Sequence, residues 1–224
     1  MITPSRQKRF ILKLDRMKLL IVVATRAEIA PFLSHFNLPD QPLMETADFD
    51  VLVTGVGMVA TAFALGQHLD KNKYNRVLNV GIAGSFDRNI SLGELVNVSA
   101  DTFAELGAED HESFIGIENL GFGKSTYQST GNKNYNLKTV NAITVNKVHG
   151  NADSIAKTQA LFAVQTESME GAAVFYACSI QNISCIQIRA ISNYVEPRNR
   201  NNWEIGLAVK NLNDWLLSKE LSTI

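Results

Sequence analysis

KLLIVVATRAEIAPF, residues 18–32, decides the fold class. From Leu19 to Ala24 no polar residue interrupts the apolar run, as expected of a strand covered on both faces. Thr25 and Arg26 then open a segment that reads as a helix over Ala27–Phe36. The same change repeats along the chain. Strands are expected at Lys18–Ala24, Asp50–Thr54, Arg76–Gly81, Glu94–Val98, Ala142–Asn146 and Ser184–Ile191, and further helices at Met58–Leu69, Met169–Gln181 and Trp203–Leu217. In the last helix Trp203, Leu207, Ala208, Leu212, Trp215 and Leu216 share one face at helical spacing. Alternating strands and helices predict an α/β single domain, a mixed central β-sheet flanked by helices on both faces. Residues Ile115–Leu137, rich in Gly, Asn, Ser and Thr, read as loop or irregular strand.

The chain has 224 residues, 46% of them apolar and 19% charged, and a formal net charge of -1. That balance suits one soluble domain and a small, roughly neutral partner, and it argues against a nucleic-acid or membrane surface. The domain is expected over residues 17–221, and residues 1–16 read as an extension or a misassigned start. Cys178 and Cys185 fall in or beside apolar segments, which suggests packed thiols in a reducing, cytoplasmic setting. His35, His68, His111 and His149 show no metal-ligand spacing, so neither a metal nor a cofactor is expected.

Four stretches carry candidate chemistry. VTGVGMVA, residues 53–60, matches a weak dinucleotide fingerprint after a strand, but NRVLNVGIAG lacks the acidic residue that such a unit wants. A tight strand-to-helix turn is the plainer reading. NVGIAGS, residues 79–85, places small residues at a strand end, where Ala83 and Gly84 would let a ligand approach the backbone. In ESMEGAAVFYA, residues 167–177, Glu170 is expected in the first helical turn with Ser168 as a possible cap. Its carboxylate could complement the helix dipole or accept two hydroxyls of a sugar diol. Glu28, one turn after the first strand, could be a solvated helix residue or part of a site.

The ordered series MKLLIVVATRAEI, VTGVGMVA, NVGIAG, ESMEGAA and RAISN resembles the nucleoside phosphorylase and nucleosidase family over nearly the whole chain from Met17. Within that family GIAGSFD, LGAED, VNKVHG, ESMEGAA and ISNYVEPRNRNNW look like the futalosine hydrolase branch. The resemblance implies a nucleoside phosphorylase-like fold and a small-molecule nucleoside substrate. It implies hydrolysis of futalosine to hypoxanthine and dehypoxanthine futalosine in menaquinone biosynthesis, by a homo-oligomer (dimer or larger). It gives Glu28 the activation of water, Glu170 the ribose hydroxyls and Met169 a contact on the sugar. Arg189 would lie near the water and its glutamate, and Ala83, Gly84, Ser192 and Val148 would line the pocket.

Asn193 departs from the aspartate of methylthioadenosine/S-adenosylhomocysteine nucleosidases. An asparagine cannot donate a proton to purine N7, but its amide can donate to a 6-oxo group and accept from a protonated N7. It therefore favours hypoxanthine over adenine. A carboxylated tail beyond the ribose would call for a cation or amide, with Arg198, Arg200, Lys147 and His149 as candidates. The competing readings are a methylthioadenosine/S-adenosylhomocysteine nucleosidase, a purine nucleoside phosphorylase and a non-catalytic nucleoside-binding domain. Against the phosphorylase, Ala24 stands where the resemblance implies a phosphate-site glycine, although Arg26 sits nearby, and Glu28 would repel a phosphate dianion.

Overall fold

The structure is a computed structural model describing residues 17–131 and 135–219; residues 1–16 and the last two of the expected domain, 220 and 221, lie outside the described residues. Among the described residues eleven strands run in chain order as β1 Lys18–Val23, β2 Leu43–Glu45, β3 Phe49–Val53, β4 Tyr74–Ser85, β5 Leu95–Phe103, β6 Gly107–Asp110, β7 Ser113–Gly116, β8 Thr126–Gln128, β9 Lys138–Thr144, β10 Thr166–Ser168 and β11 Ser184–Tyr194. The helices are α1 Ala30–His35, α2 Met58–His68, α3 Ala152–Leu161, α4 Gly171–Gln181 and α5 Ile205–Leu217. The main sheet is mixed, in the order β10-β9-β5-β11-β4-β1-β3-β2, with β8 beside β5. β1, β3, β4 and β11 are mutually parallel, so their C-terminal ends open along one edge. β10 pairs in parallel with β9 and antiparallel with β4, and this folds the sheet back on itself.

The uninterrupted apolar runs are explained by two cores. Leu20 and Val22 of β1 pack with Leu65, Val174, Phe175 and Cys178 under α2 and α4. Leu19, Ile21 and Val23 pack on the opposite face with Phe32, Leu33, Ala208, Leu212 and Leu216 under α1 and α5. Each strand residue is buried on whichever side it points, so selection keeps both sides apolar.

The structure corrects several expectations. Residues 26–29 form a 3-10 turn before a six-residue α1, because Pro31 suits a helix start. Trp203 lies outside α5, whose N-cap is Glu204, and Leu207 is 40% exposed. β9 starts four residues before the expected strand, at Lys138. Strands β2, β6, β7 and β10 and helix α3 were not expected, and β8 falls in the stretch read as loop or irregular strand. All five strands have three or four residues, too few to show a period, and α3 buries only Ile155 and Thr158. Among the described residues no helix is long and apolar enough to cross a membrane.

Candidate active site

The C-terminal ends of β1, β4 and β11 and the β10–α4 turn enclose a cavity of about 370 Å³. Glu28, Ala83, Gly84, Val148, Met169, Glu170, Ser192 and Asn193 all line it. The site begins where β1 ends. Thr25 is extended, and both its backbone N–H (2.9 Å) and its hydroxyl (2.8 Å) donate to Glu28 Oε2. The other oxygen, Oε1, accepts from the Ile82 amide of β4 at 3.0 Å. Asn213 of α5 secures the segment from behind, donating to the Glu28 carbonyl (2.9 Å) and accepting from the Phe32 amide (3.0 Å). Three donors therefore hold the Glu28 carboxylate in one orientation at the cavity wall.

Glu170 occupies the N-cap position of α4, one residue before the helix and not in its first turn as expected. Its carboxylate does not cap that helix. Oε1 instead accepts at 2.9 Å from the amide of Gly57, in the glycine turn between β3 and α2. Gly57 has φ +94°, a conformation that favours glycine. The VTGVGMVA turn thus aims a backbone amide at a carboxylate. Burial raises the Glu170 pKa and the nearby Glu28 charge adds to this, against the Gly57 N–H and the charge of Arg189.

Arg189, on β11, is buried and does not line the large cavity. It lines a smaller recess behind the cavity with Glu28, Glu170, Asn79 and Gly81. A β-carbon on Gly81 would lie 2.8 Å from Glu28 Oε1 and 3.4 Å from Arg189 Nη1. Glycine at this position lets both groups crowd the β4 backbone.

At the end of β11 the pairing with β4 slips: Ile191 faces Ala83 and Asn193 faces Gly84, so Ser192 is an extra residue. Such a bulge re-aims the side chain that follows it. Asn193 Nδ2 donates to the Tyr194 carbonyl at 3.0 Å, and because a carbonyl only accepts, this fixes which end of the amide is nitrogen. The Ser192 hydroxyl lies 2.9 Å from Asn193 Oδ1 and 3.2 Å from the Ala83 carbonyl. One N–H and one oxygen lone pair remain to read a ligand.

Glu167 was not singled out in the sequence. It lies in β10, is 3% exposed, and lines the cavity opposite Gly84. It accepts from the His149 amide (3.0 Å) and pairs with His149 Nδ1 at 2.6 Å, while His149 Nε2 meets Thr158 Oγ1 at 2.8 Å. Burial raises the Glu167 pKa, against the His149 bonds. A glutamate inside a stretch too short for periodicity has no sequence signature of burial. Of the tail candidates, His149 reaches the cavity. Arg198 and Arg200 lie over the Trp203 ring, which lines the cavity, at 4.9 and 5.7 Å from its centroid. Lys147 does not line the cavity.

Among the described residues three glutamates and no lysine or arginine line the cavity. A model of the phosphorylase superfamily matches residues 18–217. The futalosine hydrolase of Streptomyces coelicolor is 32% identical over 201 residues, covering 82% of this chain and 80% of the relative. Two solved structures from Helicobacter pylori share the fold at 18% identity and a TM-score of 0.76: a futalosine hydrolase, covering 90% of this chain and 96% of that one, and a 5'-methylthioadenosine/S-adenosylhomocysteine nucleosidase with butyl-thio-DADMe-Immucillin-A, covering 90% and 97%. The chain belongs to the phosphorylase superfamily.

Proposed function

We propose that this chain is a nucleosidase that hydrolyses the N-glycosidic bond of futalosine, releasing hypoxanthine and dehypoxanthine futalosine in menaquinone biosynthesis. The observation that carries the reading is the convergence of Glu28, Glu170 and Asn193 on one cavity whose wall, among the described residues, carries no lysine or arginine. A phosphate dianion would meet three glutamates there and, among the described residues, neither a lysine nor an arginine, so water is the better nucleophile. In the proposed reaction Glu28 takes a proton from water as its oxygen bonds to ribose C1′. The bond from C1′ to the purine breaks, and its electrons leave with the base. Glu170 accepts hydrogen bonds from the ribose hydroxyls and Met169 packs on the sugar, with Ala83, Gly84, Ser192 and Val148 as walls. The free N–H of Asn193 donates to the 6-oxo oxygen and its carbonyl accepts from N7, which takes its proton from water.

Arg189, behind the wall, holds positive charge between Glu28 and Glu170 and acts by positioning them. The guanidinium groups on Trp203, with His149, are the groups placed to meet a carboxylated tail. The reaction is carried by one domain, residues 17–221, working in the cytoplasm, where the buried free thiols Cys178 and Cys185 stay reduced. A homo-oligomer is supported by the apolar surface around Val59, Phe63, Leu106, Phe122 and Ile180, each at least 40% exposed.

The test is chromatographic detection of free base after incubation with futalosine, inosine and methylthioadenosine, each with and without phosphate. Hypoxanthine released from futalosine independently of phosphate is the expected result. Adenine from methylthioadenosine in its place would sink the assignment of base choice to Asn193, and strict phosphate dependence would make the protein a phosphorylase. Asn193→Asp should lower the ratio of 6-oxopurine to 6-aminopurine cleavage by about a hundredfold or more, since a mismatched polar pair in a pocket is costly.

A further inference from the structure

Beneath the cavity, four buried polar side chains form a line across three strands. Asp101 of β5, with no exposure, accepts from Gln187 Nε2 of β11 at 2.8 Å. Gln187 Oε1 accepts from Asn79 Nδ2 of β4 at 3.0 Å, and Asn79 Oδ1 accepts from Arg189 Nη1 at 3.4 Å. Arg189 is 2% exposed, its other Nη1 acceptor is the Ile188 carbonyl at 3.4 Å, and its Nε has no partner among the described residues. None of these bonded partners carries a charge, although a buried guanidinium needs one nearby.

A second branch runs to the Glu170 turn. Thr144 Oγ1 donates to Asp101 Oδ1 at 2.8 Å and accepts from the Ala172 amide at 2.8 Å, in the first turn of α4. Gly171, next to Glu170, rests directly on this pair: a β-carbon there would lie 2.1 Å from Asp101 Oδ2 and 2.5 Å from Gln187 Nε2.

We propose that Asp101 is a positioning residue: its buried negative charge sets the polarity of the Gln187–Asn79 chain and of Thr144, and so holds Arg189 and Glu170 in their working places. A carboxylate only accepts, so Gln187 must turn its nitrogen toward it and leave its oxygen for Asn79. Asn79 must then turn its own oxygen to Arg189. The single Thr144 proton goes to Asp101, which leaves a lone pair for the α4 amide. A neutral amide at position 101 removes that constraint, because it can donate to Gln187 and let both amides turn over. Asn79 would then present N–H groups to a guanidinium that also only donates. The proposal rests on the roles given above to Glu170 and Glu28.

The test compares wild type, Asp101→Asn, and the double variant Asp101→Asn/Gln187→Glu. The double variant restores an acceptor-only group one link nearer to Asn79. Two readouts are taken: turnover of futalosine, and the side-chain NMR signals of Asn79 and of the Arg189 guanidinium, neither of which touches Asp101. D101N should lower kcat/KM about tenfold to a hundredfold, as expected when reacting groups are misplaced by mutation at a distance. It should also shift the Asn79 and Arg189 signals, and the double variant should recover both readouts. If D101N leaves those signals unmoved, or the double variant recovers neither readout, the proposal is wrong. Signals that propagate in a protein that releases no base from any nucleoside would overturn the proposed reaction and leave the positioning chain standing. Should D101N fail to fold, Asn79→Ala cuts the chain with Asp101 intact; unmoved Arg189 signals in that variant also overturn the proposal.

Discussion

At the N-terminal end of the parallel strands, Asp50 of β3 accepts from Lys18 Nζ (3.2 Å), Lys73 Nζ (2.7 Å), the Tyr74 hydroxyl (2.7 Å) and the Thr46 amide (3.1 Å). At the C-terminal end of the same strands, the Glu28 and Glu170 carboxylates accept, among the described residues, only from backbone amides and one threonine hydroxyl. Burial alone would raise the Asp50 pKa, but the bonds from Lys73, Tyr74, the Thr46 amide and Lys18 together outweigh it, and the net direction is down. At Glu170 burial wins and the direction is up. Both ends hide acidic groups, and what separates them is whether a full positive charge is bonded to each. Paired on every side, Asp50 is a brace with no capacity left for a ligand. The cavity glutamates keep lone pairs unspent and face open volume, as binding and proton transfer require.

Swapping charge for amide at each end tests that contrast. The largest effect is expected from Glu28→Gln, which keeps the shape of the side chain and removes the base. Turnover should fall by about a thousandfold, with thermal unfolding lowered less than in Asp50→Asn, since the amide nitrogen leaves only the Ile82 N–H without its acceptor; a variant retaining most of its activity would strip Glu28 of its role. Asp50→Asn should show the reverse pattern. Stability to urea should fall by about 3 kcal/mol, because the ammonium groups of Lys18 and Lys73 lose their shared partner, while kcat/KM at low temperature stays near wild type. Loss of activity without loss of stability there would mean that the two ends do not divide the work in this way.

A smaller effect concerns Asp101, whose pKa burial pushes up to about 6 despite bonds from Gln187 and Thr144. A carboxyl whose folded pKa is raised contributes stability that is present below about pH 4, its range in the unfolded chain, and lost as pH rises through about 6. The stability of wild type relative to Asp101→Asn should therefore drop by up to about 3 kcal/mol between about pH 4 and pH 8. Urea titrations of the two proteins at both pH values measure this difference directly. A constant difference would show that the buried acid is already ionised at low pH, as Asp50 is expected to be.

The long central strands were legible because β1 is apolar on both faces and β4 and β11 are mostly so, with Asn79, Gln187 and Arg189 as buried exceptions; α2 was legible because it follows a strand after a glycine turn, and α4 because it is a run of small and apolar residues. Glu28, Glu170 and Asn193 stood out because each interrupts or ends such a run with a polar group. Glu167 had no comparable signal, since β10 has three residues and is held in place by β9 and β4. The role of Gly57 was equally hidden: its partner Glu170 is 113 positions away.

By itself, then, the sequence determined the alternation of buried strands and helices and the residue types available at the strand ends, because local periodicity and turn chemistry depend on near neighbours. Tertiary structure alone decided which end of the sheet braces and which end binds, for that depends on the partners each carboxylate meets across strands. The bulge that aims Asn193, the glycine amide that holds Glu170 and the chain from Asp101 to Arg189 all arise from contacts between distant residues. Burial and the absence of a bonded cation then turn an ordinary glutamate into a site.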